Sequence, residues 1–235
     1  MKEALASLKA QGMGNDLEVI IQDGDVEPDL GQSDALNKGF AKAKGKWLFW
    51  LNADDVLLPE ALLKVKCMID GAERPVSWIA GNVMNIDDRG RVMRCLWDCG
   101  RMTAYRGLPV RTYGPSSFFI RDLFDQSGGF DTSLRVCMDT DLWCKFRAAG
   151  HWYVKVPDYL WGFRIHDGSK TSSSMRTQEE LARQRAEVER VHARYGVNDS
   201  RSHVLWFRLN RIVDGGYVRS FMDTLKLRRR TVGAA

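Results

Sequence analysis

The chain lacks any long apolar run, and this absence excludes the simplest membrane architecture. A transmembrane helix needs about 20 consecutive apolar residues, and no segment of the 235 residues approaches that length. The opening MKEALASLKAQ carries Glu3 and has helical periodicity, without the uninterrupted apolar core of a secretory leader. We therefore expect a protein that is not exported and works in the cytoplasm.

Cysteine is scarce, and its number is odd. The five cysteines lie at positions 67, 95, 99, 137 and 144, which predicts reduced thiols in a chain without a leader. Cys95 and Cys99 are close enough in sequence to share a metal ion. No second pair of ligands accompanies them, so two small buried residues are the alternative interpretation.

The composition is otherwise that of a globular protein with a basic excess. Hydrophobic residues make up 44% of the chain, which suits one compact α/β domain. The net charge of +5 would suit nucleic acid, anionic lipid or phosphorylated small molecules. No recognised nucleic-acid motif is present, so we expect no nucleic-acid partner.

Apolar strands and amphipathic helices are predicted to alternate along much of the chain. Short connections between such elements favour an α/β sheet with a parallel core. The hairpin signal DDRG at 87–90 and the Gly-rich turn GGFD at 128–131 punctuate the second half. The predicted strands are 17–23, 46–51, 76–81, 152–156 and 159–165, and the predicted helices are 1–11, 33–43, 59–70 and 139–149.

Carboxylates stand where two predicted strands end. Asp23 closes the first strand, and Asp54 and Asp55 close LFWLNADD. Ligands bind beyond the carboxyl ends of strands in such sheets. Adjacent carboxylates disfavour each other's ionisation unless a cation lies nearby, and Mg²⁺ commonly uses one or two carboxylates plus substrate phosphates. The alternative is a solvated turn in which Asp55 caps the next helix.

Three sequence blocks resemble the family 2 glycosyltransferases. They are EPDLGQSDALNKGFAKAKGKWLFWLNADDVLLPEAL, GGFDTSLRVCMDTDLWCKFRAAG and FRIHDGSKT, which follow the family's order within residues 17–175. The resemblance implies a GT-A-like mixed sheet flanked by helices over residues 1–175. Residues 176–235 would then form a basic helical extension.

The resemblance assigns roles to individual residues of the nucleotide side. Asp23 matches the carboxylate that hydrogen-bonds the nucleotide base. Asp54 and Asp55 match the acidic motif that binds metal and diphosphate, with Asn52 standing where many relatives have Asp. His166 matches a histidine that can complete the metal site. The implied cofactor is a divalent metal, Mn²⁺ or Mg²⁺.

The helix SDALNKG adds two candidates for nucleotide-sugar binding. Asp34 and Lys38 both lie on this helix. Lys38 would reach a phosphate of the donor, or it would be an ordinary solvated lysine. The residues alone leave both interpretations open.

Asp139 matches the catalytic base of the family. A carboxylate within hydrogen-bond reach of an acceptor hydroxyl can take its proton. Met138 stands where many relatives have an acidic residue, and this apolar neighbour should desolvate Asp139 and raise its pKa. The alternatives are that Asp139 only caps its helix, or that Asp141 is the base.

Two expected pieces of the nucleotide half are missing. The chain starts at the helix that should follow the family's first strand. Only five residues separate Asp23 from Asp29, whereas a crossover helix needs a dozen or more. We therefore expect a weakened nucleotide site and uncovered strand edges, which a partner chain or a homo-oligomer could cover.

The sequence after Thr177 is predicted to be helical and basic. Leu205, Trp206 and Leu209 with interspersed arginines suit a face that lies on an anionic membrane, as a peripheral protein would. A helix packed on the domain with a solvated basic side fits equally well.

The resemblance implies an inverting glycosyltransferase. It would move a sugar from a nucleotide diphosphate sugar, with UDP expected, to a hydroxyl of a glycan or lipid-linked acceptor, as in polysaccharide biosynthesis of the cell envelope. The alternative is a non-catalytic pseudoenzyme that keeps a sugar- or partner-binding role. A nucleotidyltransferase is a weaker alternative, because GGFD and MDTDLW do not match that class.

Overall fold

The computed structural model describes residues 1–97, 112–166, 177–197, 205, 208–209, 211–228 and 230–232. These residues form an α/β fold in which a mixed sheet carries helices on both faces. The helices are α1 (Lys2–Lys9), α2 (Gln32–Lys42), α3 (Ala61–Asp70), α4 (Arg121–Gln126), α5 (Met138–Ala148), α6 (Gln178–Arg194) and α7 (Gly216–Leu227). The strands are β1 (Trp47–Leu48), β2 (Val56–Leu57), β3 (Trp78–Ile86), β4 (Val92–Leu96), β5 (Ser117–Ile120) and β6 (Val154–Arg164). Short 3₁₀ helices occupy Gly14–Asp16 and Gly114–Ser116.

The sheet is organised around β3. Its strands run in the order β1-β5-β3-β6-β2, and β4 pairs with the second half of β3. Among the described strands, β3 and β6 form the one parallel pair, and the other pairs are antiparallel. The predicted mixed sheet is confirmed, but the expected parallel core is limited to this pair.

Side chains of alternate residues on β3 feed two core clusters. Trp78 and Ala80 belong to the cluster that also contains residues of α2, α4, α5 and α6. Ile79 belongs to the cluster that contains residues of α1 and α3. Successive side chains of a strand point to opposite faces, so the period of two in this strand places helices on both sides of the sheet.

The local signals for turns and helices correspond to real elements, with shifted boundaries. The DDRG hairpin is present, with Asp87 N–H donating to Arg91 O at 3.0 Å. Helix α2 begins one residue before Ser33, with Gly31 as its N-cap, so the Ser33 hydroxyl is released for a tertiary contact. The two late strands predicted around residues 152–165 are a single strand, β6.

The predicted strand at 17–23 is wrong. Residues 17–22 belong to no strand, and Val19 and Ile21 are 47% and 56% exposed. The apolar run LEVII has the composition of a buried strand, but a strand forms only where a neighbour supplies backbone partners. In this chain α2 lies beside the segment, and Lys44 N–H donates to Glu18 Oε2 at 2.7 Å.

Part of the C-terminal region packs closely on the domain. Val191 of α6 is fully buried in the cluster around α5. Helix α7 lies against β4, where Thr224 and Ser220 hydroxyls accept the N–H groups of Cys95 and Trp97, both at 2.9 Å. A domain boundary near residue 175 remains a prediction.

Several expectations fall on residues outside the described part of the chain. They concern Cys99 as a partner for Cys95, Trp206 in the tail, and the end of the FRIHDGSKT block. Cys95 itself is fully buried. Among the described residues, no helix combines the length and the apolar character needed to cross a bilayer.

Candidate active site

The acidic motif forms a turn between β1 and β2, and its second carboxylate points inward. Asp55 is fully buried. Its Oδ1 accepts the backbone N–H of Arg164 at 2.9 Å, and its Oδ2 accepts Asn52 Nδ2–H at 2.7 Å. Burial raises the pKa of Asp55 to about 6, although the Arg164 N–H opposes the shift. Asp55 therefore ties the turn to the end of β6.

The first carboxylate of the motif faces solvent beside the predicted histidine. Asp54 Oδ2 lies 3.0 Å from His166 Nε2, with the two side chains 41% and 34% exposed. Arg164 also stabilises this turn, because its Nε donates to the Asp54 carbonyl at 2.7 Å. Of the predicted metal ligands, Asp54 and His166 thus meet at the surface, while Asp55 has both oxygens engaged in the interior.

This pair fits the donor set of a divalent metal that keeps open positions. A carboxylate oxygen and an imidazole nitrogen bind Mn²⁺, and Mg²⁺ sites commonly take only one or two protein carboxylates. Within the described ranges, no group of three or more His, Cys, Asp or Glu side chains is arranged to hold a metal. Other ligands would have to come from water or a bound diphosphate.

The first turn of α2 connects the acidic turn to the helix that carries Asp139. Gln32 Nε2–H donates to Asn52 Oδ1 at 3.0 Å. The next residue, Ser33, is buried and its hydroxyl donates to Leu134 O at 3.2 Å. Sequence reasoning missed Gln32 and used Ser33 only as the start of the predicted helix, because only the folded chain brings their partners within reach.

The GGFD turn is fastened to the same helix. Gly128 and Gly129 both have positive φ, at 76° and 71°, which glycine adopts without steric cost. Asn37 bonds reciprocally with Phe130, donating to its carbonyl and accepting its N–H, both at 2.9 Å. A Cβ on Gly129 would lie 2.9 Å from Asn37 Oδ1, so the second glycine is needed for this close approach.

Asp139 and Asp141 differ sharply in their surroundings. Asp139 lies in the first turn of α5, partly exposed, and accepts the Thr140 N–H at 2.7 Å. Desolvation raises the pKa of Asp139, which is the direction expected from the buried Met138 beside it in sequence. Asp141 is fully buried and ion-paired with Lys145 and Arg194, each at 3.1 Å.

The loop before α5 is held by α6. Glu187 of α6 accepts the backbone N–H groups of Arg135 and Val136 at 3.2 and 3.0 Å. These groups directly precede the helix that carries Asp139. Sequence reasoning did not single out Glu187, because its place in a charged helix resembles that of any solvated glutamate.

The remaining predicted residues lie in the segment before and within α2. Asp23 lies in an exposed turn, where its Oδ1 accepts the Asp25 N–H at 3.0 Å. Asp34 accepts the Leu30 N–H at 3.0 Å and pairs with Lys38 at 2.8 Å. The hydrogen bond from Lys38 holds the pKa of Asp34 below its usual value. The described contacts of these residues are local and do not join them to the acidic turn.

An apolar cavity of about 770 Å³ lies between the 17–22 segment, α2, α3 and the chain around β1. Leu17, Val19, Phe49 and Leu51 are among the side chains that line it. The cavity explains why apolar residues of the 17–22 segment remain exposed.

Comparisons with known proteins agree with this fold and these motifs. Residues 25–120 match the model for glycosyl transferase family 2. An uncharacterised glycosyltransferase of Rickettsia prowazekii is 24% identical over 205 residues, covering 77% of this chain and 64% of the relative. The chain thus spans somewhat less than two thirds of that protein's length.

Two solved structures share the fold. S. aureus TarS in complex with UDP-GlcNAc superimposes with a TM-score of 0.60 at 15% identity, covering 86% of this chain and 64% of TarS. A mannosyltransferase of Pyrobaculum calidifontis, in complex with GDP-Man and Mn²⁺, gives a TM-score of 0.51 at 18% identity, covering 83% of this chain and 64% of that chain.

The fold is therefore that of a GT-A glycosyltransferase. Residues 25–120, which contain α2 and the acidic turn, match glycosyl transferase family 2. The resemblance inferred from the sequence is confirmed for the fold and, over residues 25–120, for the family.

Proposed function

We propose that this chain is an inverting glycosyltransferase that moves a sugar from a nucleoside diphosphate sugar to an acceptor hydroxyl. The observation that carries the proposal is the pairing of two distinct sites through α2. A partly exposed Asp54–His166 pair lies at one end of this connection. Asp139, whose carboxyl group is desolvated, lies near the other. Family membership supports the same reaction class.

The donor we propose is a UDP-sugar, with a divalent metal at Asp54 and His166. The related TarS structures contain UDP and UDP-GlcNAc, and the mannosyltransferase contains GDP-Man with Mn²⁺. Such a metal, when bound, neutralises charge on the diphosphate leaving group. Asp55 supports the turn from inside, so we assign Asp54 and His166 as ligands and leave Asp55 a positioning role.

Asp139 has the environment that a general base requires. Its raised pKa moves it toward the operating pH, where a base accepts protons most effectively. In the proposed reaction Asp139 Oδ takes the proton of the acceptor hydroxyl while that oxygen bonds to the anomeric carbon, and the bond to the diphosphate breaks. Asp141 is a poor competitor, because two ion pairs hold its carboxylate in the interior.

The acceptor we propose is a hydroxyl of a glycan or of a lipid-linked saccharide. The apolar surroundings of α5 support a site that excludes water from Asp139. The match of residues 25–120 to glycosyl transferase family 2 and the basic C-terminal surface support this acceptor class.

A non-catalytic binding module is the second candidate, and one observation favours it. The segment that should form a nucleotide-binding strand is exposed and unpaired in backbone hydrogen bonding within the sheet, and Asp23 lies in its own turn. A chain with this segment could retain acceptor affinity while binding no donor.

Calorimetric titration with Mn²⁺ and each of UDP, UDP-GlcNAc and GDP-mannose separates the two candidates. For the glycosyltransferase we expect metal-dependent nucleotide binding that is lost in Asp54→Asn and kept in Asp122→Asn, an exposed carboxylate on α4. A binding nucleotide should also raise stability by about 2.7 kcal/mol at one hundred times its Kd. A cooperatively folded protein that binds none of the three would favour the module.

A further inference from the structure

Helix α7 presents an apolar face to solvent, on the side opposite to its contact with the sheet. Four large side chains on this face are more than half exposed: Val218 at 67%, Phe221 at 62%, Met222 at 57% and Leu225 at 56%. Their spacing of three and four residues places them on one side of a helix. Exposed apolar patches of this kind mark interaction sites.

The opposite side of α7 is already used for packing. Ser220, Asp223 and Thr224 face the sheet, where Asp223 accepts the Tyr159 hydroxyl at 2.8 Å and Thr224 accepts the Cys95 N–H at 2.9 Å. Beyond the helix, Thr231 bridges to Arg91 and extends the edge at β4. The fold therefore fixes the orientation of α7 and leaves its apolar face outward without any rearrangement.

Basic residues border the apolar face, and the acidic residue of the helix is turned away from it. Arg219, Lys226 and Arg228 are exposed. On a helical projection Lys226 falls on one flank of the face and Arg228 on the other. Arg219 is directed to the packed side, where its guanidinium lies 3.6 Å from the Trp97 ring centroid and pairs with Asp223 at 3.7 Å. From Arg208 to Val232 the sequence contains seven basic and two acidic residues, so the rim of the patch is positively charged.

We propose that this face of α7 binds the surface of an anionic membrane. An apolar helical face with basic flanks lies in the plane of the headgroups, where the apolar side chains enter the interface and the cations meet lipid phosphates. The positive rim favours a lipid surface over a second copy of this chain, because two copies would bring the same cations together. The proposal is independent of the reaction proposed above.

Two more exposed apolar residues extend the surface toward the preceding segment. Ile212 and Val213 are 63% and 80% exposed, and Asp214 separates them from Gly215, which has a φ of 67°. Helix α7 is thus preceded by a sharp turn whose apolar side chains are also available to the interface.

Sedimentation with vesicles tests the proposal on the whole chain. We expect binding to vesicles made of equal amounts of phosphatidylcholine and phosphatidylglycerol, and little binding to phosphatidylcholine alone. The double variant Phe221→Gln/Leu225→Gln should bind at least about tenfold more weakly. Leu63→Gln, at a helical position that is 47% exposed on α3, is the matched control and should bind as the wild type.

A charge variant gives a second, independent reading. Lys226→Gln should weaken binding about fivefold, and added salt should reduce wild-type binding toward the level of the variant. Phe221, Leu225 and Lys226 are exposed, so the circular dichroism spectra and melting temperatures of the variants should match those of the wild type. Three results would each contradict the proposal. They are no association with the mixed vesicles, equal association with phosphatidylcholine alone, and unchanged association of the double variant. A dimer that dissociates in the double variant, without vesicle binding, would assign the face to a second copy instead.

Discussion

Apolar side chains are buried on one side of α2 and exposed on the other. Around α5, Trp78, Trp143 and Phe146 are fully buried, and the rings of Trp78 and Trp143 stack at 4.9 Å. Between residues 17 and 31, Val26 and Leu30 are 83% and 86% exposed. The difference shows that apolar residues become core only where the chain supplies surfaces on both sides of them.

The connections to α2 differ in the same way. The region around α5, which we call the acceptor side, is joined to it by buried contacts such as that of Ser33 with Leu134. The segment 17–31, which we call the donor side, is joined by exposed polar contacts, including Lys42 with Gln22 at 3.0 Å and an ion pair of Lys42 with Glu27. Exposed pairs contribute little to stability, so the donor side should open at low cost.

Removing one apolar side chain from each side gives the largest contrast. Trp143→Ala should lower the free energy of unfolding by about 4 kcal/mol, because it empties the centre of the acceptor-side core. Ile21→Ala on the donor side should change it by less than about 0.5 kcal/mol. Urea unfolding followed by circular dichroism measures both. Equal losses for the two variants would contradict the comparison.

The proposed chemistry depends on the acceptor side. Asp139→Asn should reduce sugar transfer at least about a hundredfold, near 3 kcal/mol in the activation barrier, because the amide cannot take the proton of the acceptor hydroxyl. Nucleotide affinity should stay unchanged. Transfer assays with a UDP-sugar and titration with UDP measure the two quantities, and Asp122→Asn serves as control. Transfer within a few-fold of the wild-type rate would remove Asp139 from the mechanism.

The burial of Asp55 predicts that the stability of the fold depends on pH. Burial raises the pKa of Asp55 from 3.8 to about 6, so the folded state binds the proton more tightly than the unfolded state. The stability that protonated Asp55 contributes is present below about pH 4 and is lost as the pH rises through 6. Relative to wild type, Asp55→Asn should gain about 2 kcal/mol between pH 4 and pH 7.

Chemical denaturation of both proteins across that pH range measures the gain. The sign is opposite for carboxylates such as Asp131, whose pKa is lowered by hydrogen bonds from Ser133 and Arg194; these groups stabilise the fold above their unfolded pKa. Taking the difference between wild type and Asp55→Asn cancels their contribution. Parallel stability profiles would show that Asp55 is not the source.

The smallest predicted effect concerns the contact of α6 with the acceptor side. Glu187→Ala should cost about 1 kcal/mol, because it leaves the N–H groups of Arg135 and Val136 without their acceptor. Glu187→Gln keeps one oxygen and should cost about half as much. Glu189→Ala, exposed on the same helix, is the control. Hydrogen exchange at the two amides should be faster in Glu187→Ala than in Glu189→Ala, and unchanged exchange would show that Glu187 does not hold this loop.

Local signals predicted much of the framework. The hairpin at Asp87–Gly90 and the Gly-rich turn at 128–131 follow from backbone conformations that few residues adopt. The helices at 32–42 and 138–148 follow from apolar spacing. The boundaries of the helices were less predictable. At Ser33, for example, a hydroxyl that could cap the helix instead reaches a distant carbonyl, that of Leu134.

The sequence predicted which residues belong to the candidate site but not which role each of them has. The sequence places Asp54 and Asp55 side by side, and adjacent residues of one type look alike until the chain folds. Only the end of β6 decides that Asp55 turns inward to the Arg164 N–H, while Asp54 turns outward to His166. The same holds for Asp139 and Asp141. Only the folded chain shows that Arg194 and Lys145 form ion pairs with Asp141.

The sequence by itself determined the family motifs, the helical periods, the turns and the positions of the acidic residues, because these depend on neighbours along the chain. The tertiary structure decided which apolar run became a strand. Both LEVII at 17–21 and the start of β3 are predicted as strands from their apolar residues, yet of the two only β3 has strands on both sides to take its backbone hydrogen bonds. Burial and backbone pairing are supplied by distant segments, so they decide what local composition leaves open.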